Sequence, residues 1–436
     1  MKTILRATAA VAASLALMCA GPSPALGQPP VSPPTTTPFA TPDTDDCPNA
    51  TTPPPPVDLS EVPKPGETAP PALPVPADPV GGDALAECGT VTPDDAPPLP
   101  ADISATGWVL SDLDTGDVLA AKDPHGRYRP ASTIKILLAL VVLDELDLDD
   151  VVVATAEDAG IEGSAVGIGK GGVYTTLQLL QGLVMASGND AAHALARELG
   201  GVDAAVAKMN AKAASLGALD TRTASPSGLD GPGMSSSAYD LAVFFRTGMQ
   251  DPTFARLIST ETTDFPGYPR DPAVPDDEDR PGFLLANDNP LLFNYNGALG
   301  GKTGYTDDAR QTFVGGAERD GRRLAVTLMM GEVLPIRPWQ QAARLLDYGF
   351  ALPPSTSIGE LVEPSSIGAV TSTRAAAPTA TPPTAEGPTT TDTAAGTRAS
   401  ALETSGDTVV RVGFGIIGGL IVVGLLLWAR QLDRRR

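Results

Sequence analysis

The chain has 436 residues, with 52 acidic against 30 basic side chains and a formal net charge of −22. Proteins that bind nucleic acids cluster Lys and Arg to neutralise phosphates, so this acidic balance argues against a nucleic-acid partner. The length allows one large domain or two ordinary ones. However, 22 of the 44 prolines fall between residues 28 and 100, so we do not count that stretch towards a folded domain.

The N-terminus has the features of an export signal. Two basic residues precede an apolar or small stretch at 7–18, and small residues up to Gly27 allow cleavage. We therefore expect residues 1–27 to be a signal peptide and the rest of the chain to be exported. A lipid-modified Cys19 is the alternative, which the bulky Met18 before it disfavours.

A proline-rich segment follows at 28–103. Four prolines stand in a row at 53–56, and Thr and Asp are frequent around them. Such a composition buries too little apolar area to offset the entropy of ordering, so we predict a disordered arm or spacer. In an exported protein its two cysteines, Cys47 and Cys88, favour one disulfide over two free thiols.

Sustained core patterning occurs only at 104–352. Apolar segments at 107–110 and 118–120 flank an Asp-Thr-Gly turn and predict a β-hairpin. Further elements are predicted, in chain order, as helices at 134–146 and 176–186, strands at 313–317 and 324–330 around an Asp-Gly turn, and a closing helix at 339–350. Strands at both ends with helices between them indicate an α+β fold, an antiparallel sheet packed against helices.

The end of the chain is predicted to tether this domain to a membrane. Residues 353–408 are rich in Thr, Ala and Pro and indicate a disordered stalk. The uncharged run that ends at Ala429 has 18 residues, which span about 27 Å as a helix, close to the thickness of a bilayer core. We therefore predict a transmembrane helix at 409–429 and a cytoplasmic basic tail at 430–436, which makes the protein single-pass with its domain outside.

Ser132 and Lys135 form the first candidate catalytic pair, at the start of the predicted apolar helix. Helix positions three apart share a face, with Cβ atoms roughly 5–6 Å apart, so a hydroxyl and an amine can share a proton. The helix N-terminus favours a developing oxyanion. A lysine acts as a base only when neutral, so burial or a second cation must lower its pKa. Alone, the pattern is also typical of an ordinary helix start with a surface lysine.

Two further clusters strengthen the catalytic interpretation. Ser-Gly-Asn stands at 187–189, after the second predicted helix, and Lys-Thr-Gly stands at 302–304, after a glycine-rich stretch. Ser-x-x-Lys, a Ser-x-Asn cluster and Lys-Thr-Gly form an ordered set found in penicillin-binding proteins and class A β-lactamases. All three occur here in that order within one domain, which chance explains poorly.

On these residues the sequence resembles the low-molecular-mass penicillin-binding proteins that act as serine-type D-Ala-D-Ala carboxypeptidases, over roughly 103–350. The matching stretches are 129–135, 187–192, 227–230, 236–242 and 301–306. The resemblance implies a penicillin-binding-protein/β-lactamase-like domain that hydrolyses the terminal D-Ala-D-Ala bond of peptidoglycan stem peptides, on the cell-wall side of the membrane. It implies β-lactams as inhibitors, and no cofactor.

The resemblance also implies a role for each catalytic residue. Ser132 would attack the carbonyl between the two D-alanines, and Lys135 would accept its proton. Ser187 would relay a proton to the leaving D-alanine. Asn189 would hydrogen-bond the substrate amide or the base.

The Lys-Thr-Gly segment would bind the substrate. Lys302 would supply positive charge to the terminal carboxylate, and Thr303 would add a hydroxyl beside it. Gly304 and Tyr305 complete the implied binding residues, and the backbone N–H groups of Ser132 and Tyr305 would form the oxyanion hole.

The sequence is expected to depart from the family in three places. Gly188 replaces Asp in the middle cluster, the predicted transmembrane helix stands where an amphipathic anchor is common, and the predicted stalk leaves no room for the β-rich second domain of many relatives. Gly188 and the lack of any glutamate between Glu198 and Glu261 disfavour a β-lactamase. A D,D-transpeptidase or endopeptidase remains the nearest alternative. A non-catalytic wall-binding scaffold is the alternative from a different class.

Other chemistries have weaker support. The glycine-rich approach to Lys302 has one residue too few for a phosphate-binding P-loop. Of the two histidines, we expect His125 in a solvent-facing loop and His193 packed on a helix, which leaves little basis for a histidine-based triad or a zinc site.

Overall fold

An antiparallel sheet forms the centre of residues 41–362, the part of the chain that the structure, a computed structural model, describes. The strands there are β1 (Thr90–Val91), β2 (Gly107–Asp112), β3 (Asp117–Lys122), β4 (Val151–Val153), β5 (Val173–Thr175), β6 (Thr262–Phe265), β7 (Phe283–Ala286), β8 (Ala298–Thr306), β9 (Arg310–Arg319), β10 (Arg322–Gly331) and β11 (Gly359–Glu360). The main sheet has the order β1-β3-β2-β10-β9-β8, with β11 also paired to β3. Two small sheets pair β4 with β5 and β6 with β7.

Helices cover both faces of the main sheet. They are α1 (Lys135–Glu145), α2 (Ala156–Ala159), α3 (Thr176–Met185), α4 (Asn189–Glu198), α5 (Val202–Ser215), α6 (Ala238–Gln250), α7 (Pro252–Ser259), α8 (Pro290–Asn294) and α9 (Pro338–Ala351), with 3₁₀ helices at Asp83–Ala86 and Ala131–Ile134. Along β2, Val109 joins the apolar cluster that contains α1 and α6, whereas Trp108 and Leu110 join the cluster that contains α9. This is the alternation expected of a strand buried on both faces.

The elements predicted from the sequence are confirmed with small shifts of their ends. The hairpin corresponds to β2 and β3, the two predicted helices to α1 and α3, the second strand pair to β9 and β10, and the closing helix to α9. The α+β architecture is confirmed as well. Helix α1 is buried on all sides over residues 135–142 because α3, α4, α5 and α6 all contact it.

The proline-rich segment differs from its prediction. Residues 41–103 lie along the domain instead of forming a disordered spacer, and we call residues 41–91 the strap. The buried guanidinium group of Arg127 donates hydrogen bonds to the backbone carbonyls of Thr51 at 2.9 Å and Pro74 at 2.9 Å. Because proline residues keep their carbonyls but lack N–H groups, such a chain is held by donors from elsewhere in the fold. The predicted disulfide is confirmed, since Cys47 and Cys88 are bonded within the strap.

The end of the domain lies beyond the predicted boundary at residue 352. Residues 353–362, assigned above to the stalk, include β11, and the Leu361 backbone N–H donates to the Gly116 carbonyl at 2.7 Å. The predicted signal peptide, the remainder of the stalk, the transmembrane helix at 409–429 and the basic tail lie outside the described residues. Within 41–362, no helix is both long and apolar enough to cross a bilayer.

Candidate active site

The Ser132 side chain is presented by a backbone turn at the start of α1. Ala131, the residue before it, has φ of 47°, the left-handed region that non-glycine residues rarely adopt. The Pro130 carbonyl accepts hydrogen bonds from the hydroxyls of Thr133 at 2.5 Å and of Thr312, on β9, at 2.8 Å. Strained backbone persists where its surroundings over-determine it, and these bonds hold the turn that carries Ser132.

Lys135 is fully buried behind this turn. Its Nζ lies 2.7 Å from Ser132 Oγ, 2.7 Å from Asn189 Oδ1 and 2.6 Å from the Ser227 carbonyl oxygen. Burial lowers the pKa of Lys135 well below its ordinary value, and the nearby positive charge of Lys302 lowers it further. The surroundings fit a neutral amine, because its two N–H groups can donate to the two carbonyl oxygens while its lone pair accepts the Ser132 hydroxyl proton.

The middle cluster lies between α3 and α4. Ser187 has φ of 58° and is buried, and Asn189 is oriented by donating from Nδ2 to the Glu162 carbonyl at 2.7 Å. A Cβ on Gly188 would lie 2.6 Å from Asp190 Oδ1 and 3.0 Å from the Val166 backbone nitrogen, so a side chain here would require the Asp190 carboxylate and the loop that it holds to shift.

The Lys-Thr-Gly segment runs along β8, beside the nucleophile. The side chain of Lys302 is 1% exposed, and its Nζ lies 4.0 Å from Asp288 Oδ2. Burial lowers the pKa of Lys302, and Asp288 opposes that effect. A Cβ on Gly304 would lie 2.9 Å from the Ser132 backbone nitrogen, so glycine is what allows β8 to approach the nucleophile's backbone this closely.

The structure thus brings together Ser132, Lys135, Asn189 and Lys302 from three segments that are far apart in sequence. Tyr305 differs from them, because its ring is 49% exposed and its hydroxyl donates to Asp307 at 2.8 Å. Its side chain therefore points to solvent, and what it offers the predicted oxyanion hole is its backbone N–H. Thr303 donates from its hydroxyl to Asp288 at 3.4 Å, beside Lys302.

Three contributors to the site were given no role by the sequence. The Ser227 carbonyl holds Lys135, and Asp288 lies beside Lys302. Asp190 accepts from the backbone N–H groups of residues 166, 167 and 168, which secures the loop next to the middle cluster. Of these, only Ser227 and Asp190 lie in stretches that carry the family resemblance, while Asp288 had no sequence signal.

The two histidines lie apart from these three clusters. The prediction of a solvent-facing His125 is wrong, because its Nδ1 lies 2.7 Å from an Asp220 carboxylate oxygen and its Nε2–H donates to the Val80 carbonyl of the strap at 3.0 Å. His193 is packed on α4 with Nδ1 2.6 Å from Asp158, as expected of a helix residue. Within 41–362, no group of three or more His, Cys, Asp or Glu side chains is arranged to hold a metal ion.

A serine that shares its proton with a buried lysine, beside a strand carrying a second lysine, defines an acyl-transferring serine enzyme of the penicillin-binding-protein class. Residues 92–332 match the family model of the D-alanyl-D-alanine carboxypeptidases, peptidase family S11. Since this range is more than half of the chain, the protein belongs to that family.

Individual relatives agree with the family match. The chain is 50% identical over 275 residues to D-alanyl-D-alanine carboxypeptidase DacB2 of Mycobacterium tuberculosis, which covers 62% of this chain and 90% of DacB2. A crystal structure of D-alanyl-D-alanine carboxypeptidase from M. tuberculosis H37Rv superposes with a TM-score of 0.58 at 50% identity, over 62% of this chain and all of that one. The Streptomyces K15 DD-transpeptidase superposes with a TM-score of 0.54 at 30% identity, over 59% of this chain and all of that one.

Proposed function

We propose that this protein is a serine-type D-Ala-D-Ala carboxypeptidase that hydrolyses the terminal peptide bond of peptidoglycan stem peptides. The observation that carries the proposal is the surroundings of the Lys135 amine, which lies 2.7 Å from Ser132 Oγ and is buried so that its pKa is lowered. Peptidoglycan trimming of this kind needs a base that is neutral near physiological pH.

Acylation begins when Lys135 accepts the Ser132 hydroxyl proton and Oγ attacks the carbonyl carbon between the two D-alanines. The backbone N–H groups of Ser132 and Tyr305 stabilise the negative oxygen of the tetrahedral intermediate. The C–N bond then breaks, the leaving D-alanine amine takes a proton through Ser187, and the peptide remains as an ester on Ser132.

Hydrolysis of the ester reverses these proton transfers. Lys135 removes a proton from a water molecule, and the water oxygen attacks the ester carbonyl. The C–O bond to Ser132 then breaks, and the Lys135 amine returns the proton to Ser132 Oγ. The products are free D-alanine and a peptide one residue shorter. A β-lactam acylates Ser132 by the same first step, and its bulky acyl group slows the attack of water.

Lys302 supports recognition of the substrate's terminal carboxylate. Among residues 41–362, Asp288 is the counter-charge near this buried ammonium group, and at 4.0 Å it leaves capacity for a second anion. The hydroxyl of Thr303, on the same strand, can donate to that carboxylate. We therefore expect the substrates to be peptides that end in a free carboxylate.

A D,D-transpeptidase or endopeptidase is the second candidate, because a solved structure with 30% identity and a TM-score of 0.54 is named a DD-transpeptidase. The two activities share the acyl-enzyme and differ in whether water or an amine accepts the acyl group. A β-lactamase is less favoured, since Glu198–Glu261 encloses no glutamate that could activate water for rapid deacylation.

The protein is proposed to work at the outer face of the membrane, held by the predicted helix at 409–429. The 18-residue uncharged run ending at Ala429 and the arginine-rich tail after it support this location. Membrane fractionation of the full-length protein and of a variant that ends at residue 405 tests it. Recovery of both proteins in the soluble fraction would contradict the anchor.

Intact mass spectrometry after incubation with penicillin tests the mechanism. Wild type should gain one penicillin mass, and Ser132→Ala and Lys135→Ala should gain none, whereas the surface control Lys208→Ala should be labelled as wild type is. An adduct that survives in Ser132→Ala would refute the assigned nucleophile. Release of free D-alanine from a pentapeptide then distinguishes a carboxypeptidase from an enzyme that only transfers the acyl group to amines.

A further inference from the structure

One stretch of the strap, residues 54–61, contacts both segments that carry the proposed oxyanion hole. The strap precedes the range 92–332 that matches the family model, so the family match assigns it no role. Residues 54–61 contact the domain through hydrogen bonds and an ion pair, whereas a segment that only shields the surface from water would not need such polar contacts.

The first contact is with the segment that follows β8. The Asp308 carboxylate, with a side-chain exposure of 1%, accepts a hydrogen bond from the Val57 backbone N–H at 2.5 Å and one from the Ser60 hydroxyl at 3.2 Å. A buried carboxylate requires such donors. Asp308 stands three positions after Tyr305, so the strap fixes the chain just beyond one of the two oxyanion donors.

The second contact is with the segment that precedes the nucleophile. Arg129 stands three positions before Ser132, is 2% exposed, and pairs through two of its nitrogens with the Glu61 carboxylate. It also donates to the Pro54 carbonyl at 2.8 Å. A bidentate arginine–carboxylate pair fixes both distance and orientation, so the strap holds this side as well.

The two contacts form one cluster, because Arg129 Nε lies 4.0 Å from Asp308 Oδ2. The strap therefore joins the residues before Ser132 to the residues after Tyr305. The turn between Arg129 and Ser132 contains Ala131 in its strained left-handed conformation, which needs support from outside the turn.

We propose that the strap is a positioning element of the active site, which fixes the distance between the backbone N–H groups of Ser132 and Tyr305 by holding Arg129 and Asp308. The proposal rests on the acyl-enzyme mechanism given above. Oxyanion donors contribute through preorganised geometry, so a small displacement of either one lowers the rate of acylation more than it affects binding.

The double variant Ser60→Ala/Glu61→Gln tests this role in the purified full-length protein. It removes the hydroxyl that Asp308 accepts from, replaces the charged bidentate pair of Arg129 with at most one neutral hydrogen bond, and leaves Arg129, Asp308 and every predicted catalytic residue in place. We expect the first-order rate of acylation at saturating penicillin to fall about tenfold. The dissociation constant of the non-covalent complex should not change, nor should the pH below which the rate falls because Lys135 is protonated. If the strap only stabilises the fold, the double variant would instead have a lower melting temperature and an unaltered acylation rate.

Arg222→Ala is the matched control, because Arg222 donates to a different stretch of the strap, at the Pro71 carbonyl, 2.8 Å away. The acylation rate of this variant should lie within about twofold of the wild-type rate. The conservative variant Glu61→Asp, which keeps the carboxylate, should have most of the wild-type acylation rate. If the double variant does not fold, Ser60→Ala alone should show about a threefold loss.

Wild-type acylation in the double variant, or an equal loss in Arg222→Ala, would overturn the positioning role. These results are distinguishable from failure of the proposed function itself. In that case wild-type protein would take up no penicillin at Ser132, and no rates would exist to compare.

Discussion

At the scale of single residues, the chemistry depends on how Lys135 is surrounded. Its amine has two carbonyl oxygens, from Asn189 and Ser227, and one hydroxyl, from Ser132, within 2.7 Å. Burial lowers the pKa of Lys135, and Lys302 lowers it further, while Asp288 and Asp190 act in the opposite direction. The second lysine therefore disfavours protonation of the base, in addition to the carboxylate-binding role proposed for it.

This dual function predicts a change in pH dependence for Lys302→Met. Lys135 is active when neutral, so acylation is lost as the pH falls below its pKa. Removing the positive charge of Lys302 makes protonation of Lys135 easier, which raises its pKa and moves the acid limb to higher pH. The loss of rate should therefore be largest at the acidic end and smallest at alkaline pH.

The measurement is the first-order acylation rate at saturating β-lactam across the pH range, which separates the effect on the base from weaker binding. Lys212→Met is the control, because Lys212 is a surface residue paired with Asp144 at 2.8 Å. An acid limb that stays in place, or moves to lower pH, would show that Lys302 does not act on Lys135.

At the scale of elements, periodic patterns predicted the structure well where local sequence controls it. The apolar run after Ser132 became α1, and the two apolar segments that bracket the Asp320–Gly321 turn became β9 and β10. Patterns could not give the strand order β1-β3-β2-β10-β9-β8, because pairing partners far apart in sequence leave no periodic signal. They missed Asp288 for the same reason, since only tertiary packing brings it next to Lys302.

The proline-rich segment shows why one element was predicted wrongly. Its composition correctly indicates that it cannot form a core of its own. What orders it is the set of donors on the domain, above all Arg127 and Arg129, whose side chains are buried against strap carbonyls and Glu61. These donors lie outside the segment, so its composition alone carries no sign of them.

The turn that carries the nucleophile depends on close packing against Gly228. This glycine has φ of +87°, and a Cβ there would lie 2.0 Å from the Ala131 carbonyl oxygen. Gly228→Ala should therefore destabilise the protein by about 3 kcal/mol or more and displace the Ser132 turn, with a large loss of penicillin acylation. Urea unfolding and the acylation rate measure the two effects.

Gly321→Ala provides a matched control for that substitution. Gly321 has φ of +79° in the turn between β9 and β10, but nothing lies within 4 Å of the position its Cβ would take. It should cost only the conformational strain, about 1 kcal/mol, and leave acylation unchanged. Equal destabilisation by the two substitutions would mean that strain, not contact with Ala131, makes Gly228 necessary.

At the scale of the whole molecule, the strap and the domain form one structure that is closed by a disulfide. Cys47 and Cys88 are 41 positions apart, and the enclosed loop contains the residues that contact Arg127, Arg129 and Asp308. Near the end of the loop, Leu85 is buried in the main apolar cluster and Val80 packs against it. The stretch at 54–62 differs, because its apolar side chains Val57, Leu59 and Val62 are exposed. Its attachment therefore depends on the covalent closure together with the polar contacts.

Removing the disulfide should loosen the strap before it unfolds the domain. Cross-linking a loop of this length stabilises a protein by roughly 2–4 kcal/mol, mainly by restricting the unfolded chain. The double variant Cys47→Ser/Cys88→Ser should lose that amount of unfolding free energy in urea. Wild type under reducing conditions should match it, and the variant should not respond to the reductant.

The same variant links stability to catalysis. If the strap positions the oxyanion donors, freeing its ends should slow acylation under conditions where α1, β8 and their neighbours stay folded, and proteolysis should cut near residues 41–91 first. Limited proteolysis and the acylation rate, measured on the same sample well below the unfolding transition, test this order of events. Slower acylation that appears only together with global unfolding would mean that the disulfide stabilises the domain without guiding the active site.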